Sequence, residues 1–220
     1  SRLTPLQLRI AEILRKDYAA SYNQALMVIA GRLSVQSTNE VTVDFPPLLR
    51  GSNNDNVTQL VNGPVDYTSS TITEIIEKVM EVNGQILVLL PDKTALNDAG
   101  IKISKKFSVL KWSSEFNQAQ RSQAWIDVAS GKDKLVIGTR GAIFAPFRNL
   151  KQVIIFDANG DGHRSADEQP HYDTRELAFR LSEYGIKILF ACTGPLIIKK
   201  QYSLMNIRRS AKSATVSWFD

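Results

Sequence analysis

The chain has 220 residues and a formal net charge of +5, with 43% hydrophobic and 22% charged residues. These values describe a globular protein of one large domain or of two smaller domains, and they exclude an intrinsically disordered chain. The only cysteine, Cys192, excludes an intramolecular disulfide and a cysteine-based zinc site within the chain, and no run of eighteen apolar residues predicts a membrane span.

Two helices and a strand are predicted in the first fifty residues. Thr4 and Pro5 start the first helix, because a hydroxyl caps a helix and proline suits its first position. A second helix is predicted over residues 21–30 and a strand over residues 41–45, where apolar and polar side chains alternate. This order fits a small winged-helix module, or alternatively a helical hairpin packed on the next domain.

The polar, turn-rich residues 50–56 predict a boundary between two domains, 1–50 and 51–220. Beyond it, helical and strand patterns alternate along the chain. Helices are predicted over residues 71–82, 93–103, 114–130 and 174–184, with more helix from about Pro195, and strands over 86–90, 108–111, 135–137, 153–156 and 186–191. This alternation predicts an α/β fold in which helices cover both faces of a parallel sheet.

Two sequence blocks carry a resemblance to a known family. One follows the predicted strand at 135–137 and consists of Thr139, Arg140, Ala142, Phe144 and Pro146; the other spans residues 170–176. Both resemble the primosomal protein N′ (PriA) family of replication-restart helicases, in particular actinobacterial members with degenerate ATPase motifs. The resemblance extends over nearly the whole chain. It implies a winged-helix-like module over 1–50 and a RecA-like helicase lobe 1 over 51–220.

The resemblance also implies a nucleotide site whose key residues have been lost. An active lobe needs glycines and a lysine that bind phosphates just before the helix at 71, and the lysine position falls near Thr68. No lysine occurs between Arg50 and Lys78, and the hydroxyls of Ser69 and Ser70 are interpreted as helix caps.

The magnesium-binding box and the coupling motif of the family are altered as well. Where the family has a DEEH-type box, this chain has Asp157 followed by Ala158, Asn159 and Gly160, and a SATP-like motif is replaced by residues 192–195. We therefore expect only a vestigial nucleotide site, with no catalytic residue and no bound ATP or magnesium. Its remaining residues are Thr68, Ser69, Ser70 and Asp157.

Residues 157–168 and two histidines are the candidates for metal binding. The segment matches the twelve-residue calcium loop of EF-hand proteins, with oxygens at Asp157, Asn159, Asp161 and Glu168. A loop of that type follows a helix, whereas residues 153–156 have the pattern of a buried strand. We favour a polar loop at the edge of the sheet, and we interpret His163 and His171 as surface or hydrogen-bonding residues.

Basic residues in two places are candidates for contact with DNA. Thr139 and Arg140 follow a strand end, where open α/β sheets bind ligands, and the resemblance places them on the DNA-tracking face. Arg140 suits a phosphate contact, although a structural salt bridge is an equal alternative. In the N-terminal module the candidates are Arg9, Arg15, Lys16 and Arg32.

These patterns predict a PriA-like protein that binds branched or single-stranded DNA and recruits replisome and primosome proteins without unwinding. The positive charge is compatible with such a partner. No charged-then-apolar leader starts the chain, so we expect a cytoplasmic, nucleoid-associated protein without membrane contact. Two alternatives stay open: an ATP-dependent helicase lobe with a divergent nucleotide site, and an EF-hand-like calcium-binding protein.

Overall fold

The computed structural model of the chain describes residues 3–30, 47–48, 57–61, 69–166, 169–193, 196 and 206–209. In chain order the elements are α1 (Pro5–Asp17), α2 (Tyr22–Ala30), β1 (Val57–Val61), α3 (Ser69–Val79), β2 (Gln85–Leu89), α4 (Lys93–Ile103), β3 (Leu110–Trp112), α5 (Gln118–Ser130), β4 (Leu135–Gly138), β5 (Leu150–Phe156), α6 (Thr174–Leu181), β6 (Lys187–Cys192) and β7 (Asn206–Arg209). Three short 3₁₀ turns lie at Arg140–Phe144, Asp161–His163 and Ser182–Tyr184. None of the helices in the described ranges is both long and apolar enough to cross a bilayer.

The described strands form one seven-stranded sheet in the order β3-β4-β2-β5-β6-β1-β7. Every neighbouring pair is parallel, as in the pairing of Val88 with Ile137 on β4 and with Ile154 on β5. All strands therefore begin at one edge of the sheet, which we call the amino edge, and all end at the other, the carboxyl edge. Strands that neighbour each other in space but not in sequence are joined by crossovers that carry helices.

Both faces of the sheet are covered, which explains why its central strands β2, β4 and β5 are mostly apolar. On β2, Leu87 and Leu89 belong to one buried cluster and Ile86 and Val88 to the other, because side chains alternate across a strand. The second cluster also contains side chains of α3 and α4, while the first contains side chains of α1, α2, α5 and α6. The predicted RecA-like α/β fold with helices on both faces is confirmed.

Helices α1 and α2 share the first of these two clusters with the sheet. Ile10 and Leu14 are fully buried there together with Phe190 of β6. Gln7 closes a capping box with Thr4 and donates through Nε2 to the carbonyl oxygen of Phe144 at 2.8 Å. The two helices thus pack as a hairpin on the sheet. The strand predicted over residues 41–45 lies outside the described residues, so the winged-helix module and the boundary near residue 50 stay predictions.

Two strands differ from what the sequence indicates. Strand β1 was not predicted, because Val57–Val61 is short and lies between polar, turn-rich segments. Within the helix predicted from about Pro195, residues 206–209 instead form β7, so the prediction is wrong there. Thr58 of β1 pairs with Asn206 of β7, and this long-range pairing overrides local helical propensity.

Candidate functional site

The segments that contain the predicted site residues lie at the carboxyl edge of the sheet. Thr139 follows β4, Asp157 follows β5 and Thr193 follows β6, while the chain leaving β2 continues into Pro91. In open α/β sheets this edge is where ligands bind. The predicted site residues beyond residue 56 whose positions are described therefore lie at one edge.

The residues predicted to form a vestigial nucleotide site are described in part. Thr68 lies outside the described residues, and Ser69 and Ser70 are the first two residues of α3. Beside α3 and β5 there is a cleft of about 340 Å³, lined by the carboxylates of Asp92, Asp98 and Asp157, with Lys102 as a cation, and by apolar side chains. Three carboxylates against one amine make this cleft unfavourable for a triphosphate, because like charges repel.

A buried arginine holds the loop that follows β5. The side chain of Arg175 is 4% exposed and forms a two-pronged pair with Asp173, with Nε donating to Oδ1 at 2.8 Å and Nη2 to Oδ2 at 2.6 Å. Its Nη1 donates to the carbonyl oxygens of Ala158 at 2.7 Å and Gly160 at 3.3 Å. Burial alone would raise the pKa of Asp173, but the hydrogen bonds and charge of Arg175 lower it. Arg175 thus fixes the backbone of residues 158–160, which follow Asp157.

The same loop is joined to the end of β6 by one side chain. Asn159 accepts a hydrogen bond from the backbone N–H of Thr193 through Oδ1 at 3.0 Å. Asp157 has a left-handed backbone with φ of 50°, and its carbonyl oxygen accepts from Gly160 N at 2.9 Å. This tight turn brings Asn159 to the neighbouring strand end.

Gly162 is required by the close approach of this loop to the chain after β2. A Cβ at residue 162 would lie well inside 3.0 Å of the backbone oxygen of Pro91, whereas one at Gly141 would meet nothing within 4 Å. We expect Gly162→Ala to lower the free energy of unfolding by about 1–3 kcal/mol, because neither backbone can yield without cost. The matched variant Gly141→Ala should stay within about 0.5 kcal/mol of the native protein in urea unfolding. Equal effects of the two variants would contradict this packing.

His163 is a buried hydrogen-bonding histidine, which confirms one of the two interpretations made from the sequence. Its Nε2 donates to the carbonyl oxygen of Phe156 at 2.8 Å, and the residue is fully buried. Burial lowers the pKa of His163 from the ordinary value of 6.5, because a charged imidazole is poorly solvated there. The folded state therefore keeps the neutral ring at pH values where the unfolded chain already binds a proton.

The sign of the resulting pH dependence follows from linkage. The stabilisation from His163 is complete above pH 6.5 and is lost as the pH falls below 6.5 towards the lowered pKa of the folded state. We expect His163→Gln, which keeps an N–H donor but does not titrate, to flatten this part of the pH dependence in urea unfolding. A slope that survives in His163→Gln would assign the pH dependence to other groups.

The calcium interpretation of residues 157–168 does not fit the structure. The loop is entered from a strand, β5, and not from a helix. Two of its four candidate oxygens make other bonds: Asn159 Oδ1 accepts from Thr193, and Asp161 Oδ1 pairs with Arg164 Nη1 at 3.1 Å. Glu168 lies outside the described residues. Among the residues whose positions are known, no three His, Cys, Asp or Glu side chains are grouped so that they could hold a metal ion.

Thr139 and Arg140 lie at the carboxyl edge, where the 3₁₀ turn Arg140–Phe144 begins. This turn packs so closely on β4 that a Cβ at Gly138 would collide with the Cβ of Ala142. The side chain of Arg140 is half-buried. Within the described ranges no carboxylate forms an ion pair with Arg140, so the structural salt bridge considered as an alternative is not found there.

Two of the predicted basic residues of the first helix, Arg9 and Arg15, contact aromatic rings. Arg9 pairs with Glu12 at 2.5 Å and lies 5.4 Å from the ring centroid of Tyr184, which precedes the amino edge of β6. The guanidinium of Arg15 lies over the ring of Tyr22 at 4.8 Å. Lys16 is exposed in the last turn of α1, and Arg32 lies outside the described residues.

The fold and this edge define the class of protein: an α/β protein with a RecA-like parallel sheet. Curated relatives then give the closer similarity, which is to replication restart protein PriA. The chain is 29% identical to the Thermotoga maritima protein over 157 residues, covering 67% of this chain and 21% of that protein. It is 23% identical to the Chlamydia trachomatis protein over 242 residues, covering 97% of this chain and 32% of that protein. The resemblance stated from the sequence is confirmed: the chain is similar to replication restart protein PriA.

The chain spans between 18 and 34% of the length of the curated PriA relatives described by these matches. No protein-family model matches it. Among solved structures, the helicase domain of Hef from Pyrococcus furiosus overlaps with a TM-score of 0.46 at 12% sequence identity, covering 71% of this chain and 35% of that one.

Proposed function

We propose that this PriA-like chain binds branched or single-stranded DNA and holds replisome and primosome proteins there, without helicase or ATPase activity. The work would take place in the cytoplasm, on nucleoid DNA. The observation that carries the proposal is the state of Arg140. It stands directly after β4 at the carboxyl edge, half-buried and without an ion pair among the described residues.

An arginine in this state is suited to bind phosphate oxygens. Its guanidinium presents several N–H donors in a plane, and no carboxylate in the described ranges competes for them. The short turn that begins at Arg140 is anchored on β4 through Gly138 and Ala142, so its backbone is held in place before any ligand binds. A prepositioned cation loses less conformational entropy on binding than a mobile one.

The absence of ATP turnover is supported by the charges around Asp157. The cleft beside α3 carries Asp92, Asp98 and Asp157, and the sequence has no lysine between Arg50 and Lys78 to offset a triphosphate. The backbone after Asp157 is instead held by Arg175, a contact between groups of the chain itself. We therefore propose no ATP, magnesium or zinc as a cofactor of this chain.

Binding of a labelled DNA fork across a salt series tests the proposed function. We expect the native chain to lose affinity steeply with salt, and Arg140→Ala to reduce the slope of log K against log[salt] by about one, as for one lost phosphate contact. The control Lys106→Ala removes an exposed cation that is paired with Glu77 and should leave the slope unchanged. Absence of fork binding at low salt would sink the DNA-binding function.

Nucleotide binding is tested separately by thermal unfolding with ATP and magnesium. Because a ligand that binds the folded state raises Tm in a concentration-dependent way, a flat response is expected. A saturable rise in Tm would favour the competing function, an ATP-dependent helicase lobe with a divergent nucleotide site.

A further inference from the structure

The amino edge of the sheet, opposite Arg140, carries a groove that the proposed function does not use. Its volume is about 370 Å³, and it lies where β2 begins and α5 ends. We call it the amino-edge groove; its main lining residues are Gly84, Gln85, Gly131, Lys134, Arg148 and Asn149. The five residues of β2 separate it from the carboxyl edge by roughly 17 Å.

A buried glutamine holds the walls of this groove in place. Gln85 is 3% exposed, and its Nε2 donates to the carbonyl oxygens of Val128 at 2.9 Å and Asp133 at 3.2 Å. Its Oε1 accepts from the backbone N–H groups of Arg148 at 2.8 Å and Asn149 at 3.1 Å. The side chain of Gln85 therefore connects the end of α5 with the segments that precede β4 and β5. These hydrogen bonds form within the chain itself, so the groove exists before any ligand binds.

Two cations, Lys134 and Arg148, line the groove, and two more, Lys151 and Lys187, stand at the same edge of the sheet. None of the four has a carboxylate partner among the described residues. The Nη1 of Arg148 donates to the carbonyl oxygen of Ser130 at 3.3 Å, and the Nζ of Lys134 donates to that of Met80. Lys151 is exposed, and its aliphatic stem lies against Gly84, where a side chain would collide with it. Lys187, the exposed first residue of β6, pairs in register with Gln152.

Nearby carboxylates only partly offset this positive charge. Asp127 pairs with Lys132, which stands outside the set of four. Asp133 lies between Lys132 and Lys134, and Glu81 is exposed shortly before Gly84. The rim keeps more positive than negative charge, so its preferred partner is an anion.

We propose that the amino-edge groove and its four cations bind the phosphate backbone of a nucleic acid. The cations stand at the starts of β4, β5 and β6, and the sheet order β4-β2-β5-β6 separates the outer two by three strand spacings, roughly 14 Å. Measured along the axis of a duplex, this span covers about four intervals between phosphates of one strand, at about 3.4 Å of rise each. A single inorganic phosphate would fill only part of it.

This site would give the lobe a second contact with DNA, on the edge opposite Arg140. It rests on the proposed function in one respect, that the polyanion is DNA. A fork has two arms, and a lobe with phosphate contacts at both ends of its strands could hold both of them.

The double variant Arg148→Ala/Lys151→Ala tests the groove with the same fork and salt series. We expect the salt slope to fall by about 1.8, as for two lost phosphate contacts, and affinity at low salt to fall about tenfold or more. The matched control Lys105→Ala/Lys106→Ala also removes two exposed cations, after α4 and away from the groove lining, and should stay within about twofold of the native affinity. An equal loss of fork affinity in both double variants would show that only the net charge matters, and it would contradict the proposal that the groove binds DNA.

The outcome with Arg140→Ala separates this proposal from the proposed function. An unchanged double variant together with a weakened Arg140→Ala overturns the groove alone, whereas absence of binding by the native chain contradicts both. Polyglutamate and unlabelled DNA are then compared as competitors of the labelled fork. If polyglutamate displaces the fork at the same concentration of charge as DNA does, the preferred partner of the groove is an acidic protein and not DNA.

A covalent test uses the fact that the only cysteine is buried. Cys192 is 1% exposed, so Lys151→Cys creates a single accessible thiol for a photo-crosslinker. Crosslinking of fork DNA to this variant and not to Lys105→Cys is the expected result. Equal crosslinking at both positions would overturn the site.

Discussion

Arg175→Ala is expected to lower the free energy of unfolding by about 3–5 kcal/mol, which is the usual cost of breaking a buried ion pair from one side. The variant leaves the carboxylate of Asp173 without its two-pronged partner, and the carbonyl oxygens of Ala158 and Gly160 lose their donor. Urea unfolding followed by tryptophan fluorescence measures the change.

Arg175→Lys is the matched variant for this prediction. It keeps the positive charge but cannot make the two parallel bonds to Asp173 and reach Ala158 at the same time. We expect it to recover only part of the loss. Full recovery would mean that charge alone matters, and an Arg175→Ala variant as stable as the native protein would contradict the assigned role.

Leu14→Ala is expected to destabilise the protein by about 2–5 kcal/mol, the range found when a buried leucine is removed from a core. Leu14 is fully buried on α1, in the cluster that also contains Phe190 of β6. The helix and the sheet share this cluster. We therefore expect the fluorescence of Trp112 on β3 and Trp125 on α5 to show the lower stability in a single urea transition.

Leu8→Ala provides the control on the same helix. Leu8 is 42% exposed, and its replacement should change stability by less than about 0.5 kcal/mol. The form of the transition also tests the predicted boundary near residue 50. A separate early transition in Leu14→Ala, with the tryptophan signal unchanged, would show that the first helices unfold as an independent module.

The centre of the fold is predictable from sequence because local and long-range signals agree there. Helix α4 coincides with its predicted range of 93–103, and β2, β4 and β5 lie within a few residues of theirs. These strands are covered on both faces and have mostly apolar sequences, a pattern that depends little on the neighbouring strands. Their ends differ by a few residues, as at α5, where Asn117 caps a helix expected to start at 114.

The edge of the sheet is less predictable, because its strands depend on partners far away in the chain. Strand β7 exists through pairing with β1, which lies about 150 residues earlier in the chain, and neither has a strong local pattern. For the same reason, the packing partner of the N-terminal helices cannot be predicted from the sequence. Amphipathic spacing shows that α1 has a buried face but not what covers it, which here is Phe144 and the sheet.

In the candidate site, the sequence predicts altered nucleotide motifs but does not predict the contacts that their residues make. The positions of Asp157 and Arg140 at one sheet edge follow from the strand pattern. Arg175 lies in a block that the sequence connected only with family resemblance, and nothing local indicates its bonds to Ala158 and Gly160. An aspartate two residues before an arginine in a helix start is a weak signal of such a pair.

The hydrogen bond from Thr193 N to Asn159 Oδ1 has a consequence for how this edge meets any partner. It joins the ends of β5 and β6 through groups of the chain itself, so the spacing of these two ends does not depend on a bound molecule. The conformational entropy of ordering them is lost when the protein folds and not again when a partner arrives. We therefore expect this part of the carboxyl edge to keep one geometry whether or not a partner is bound.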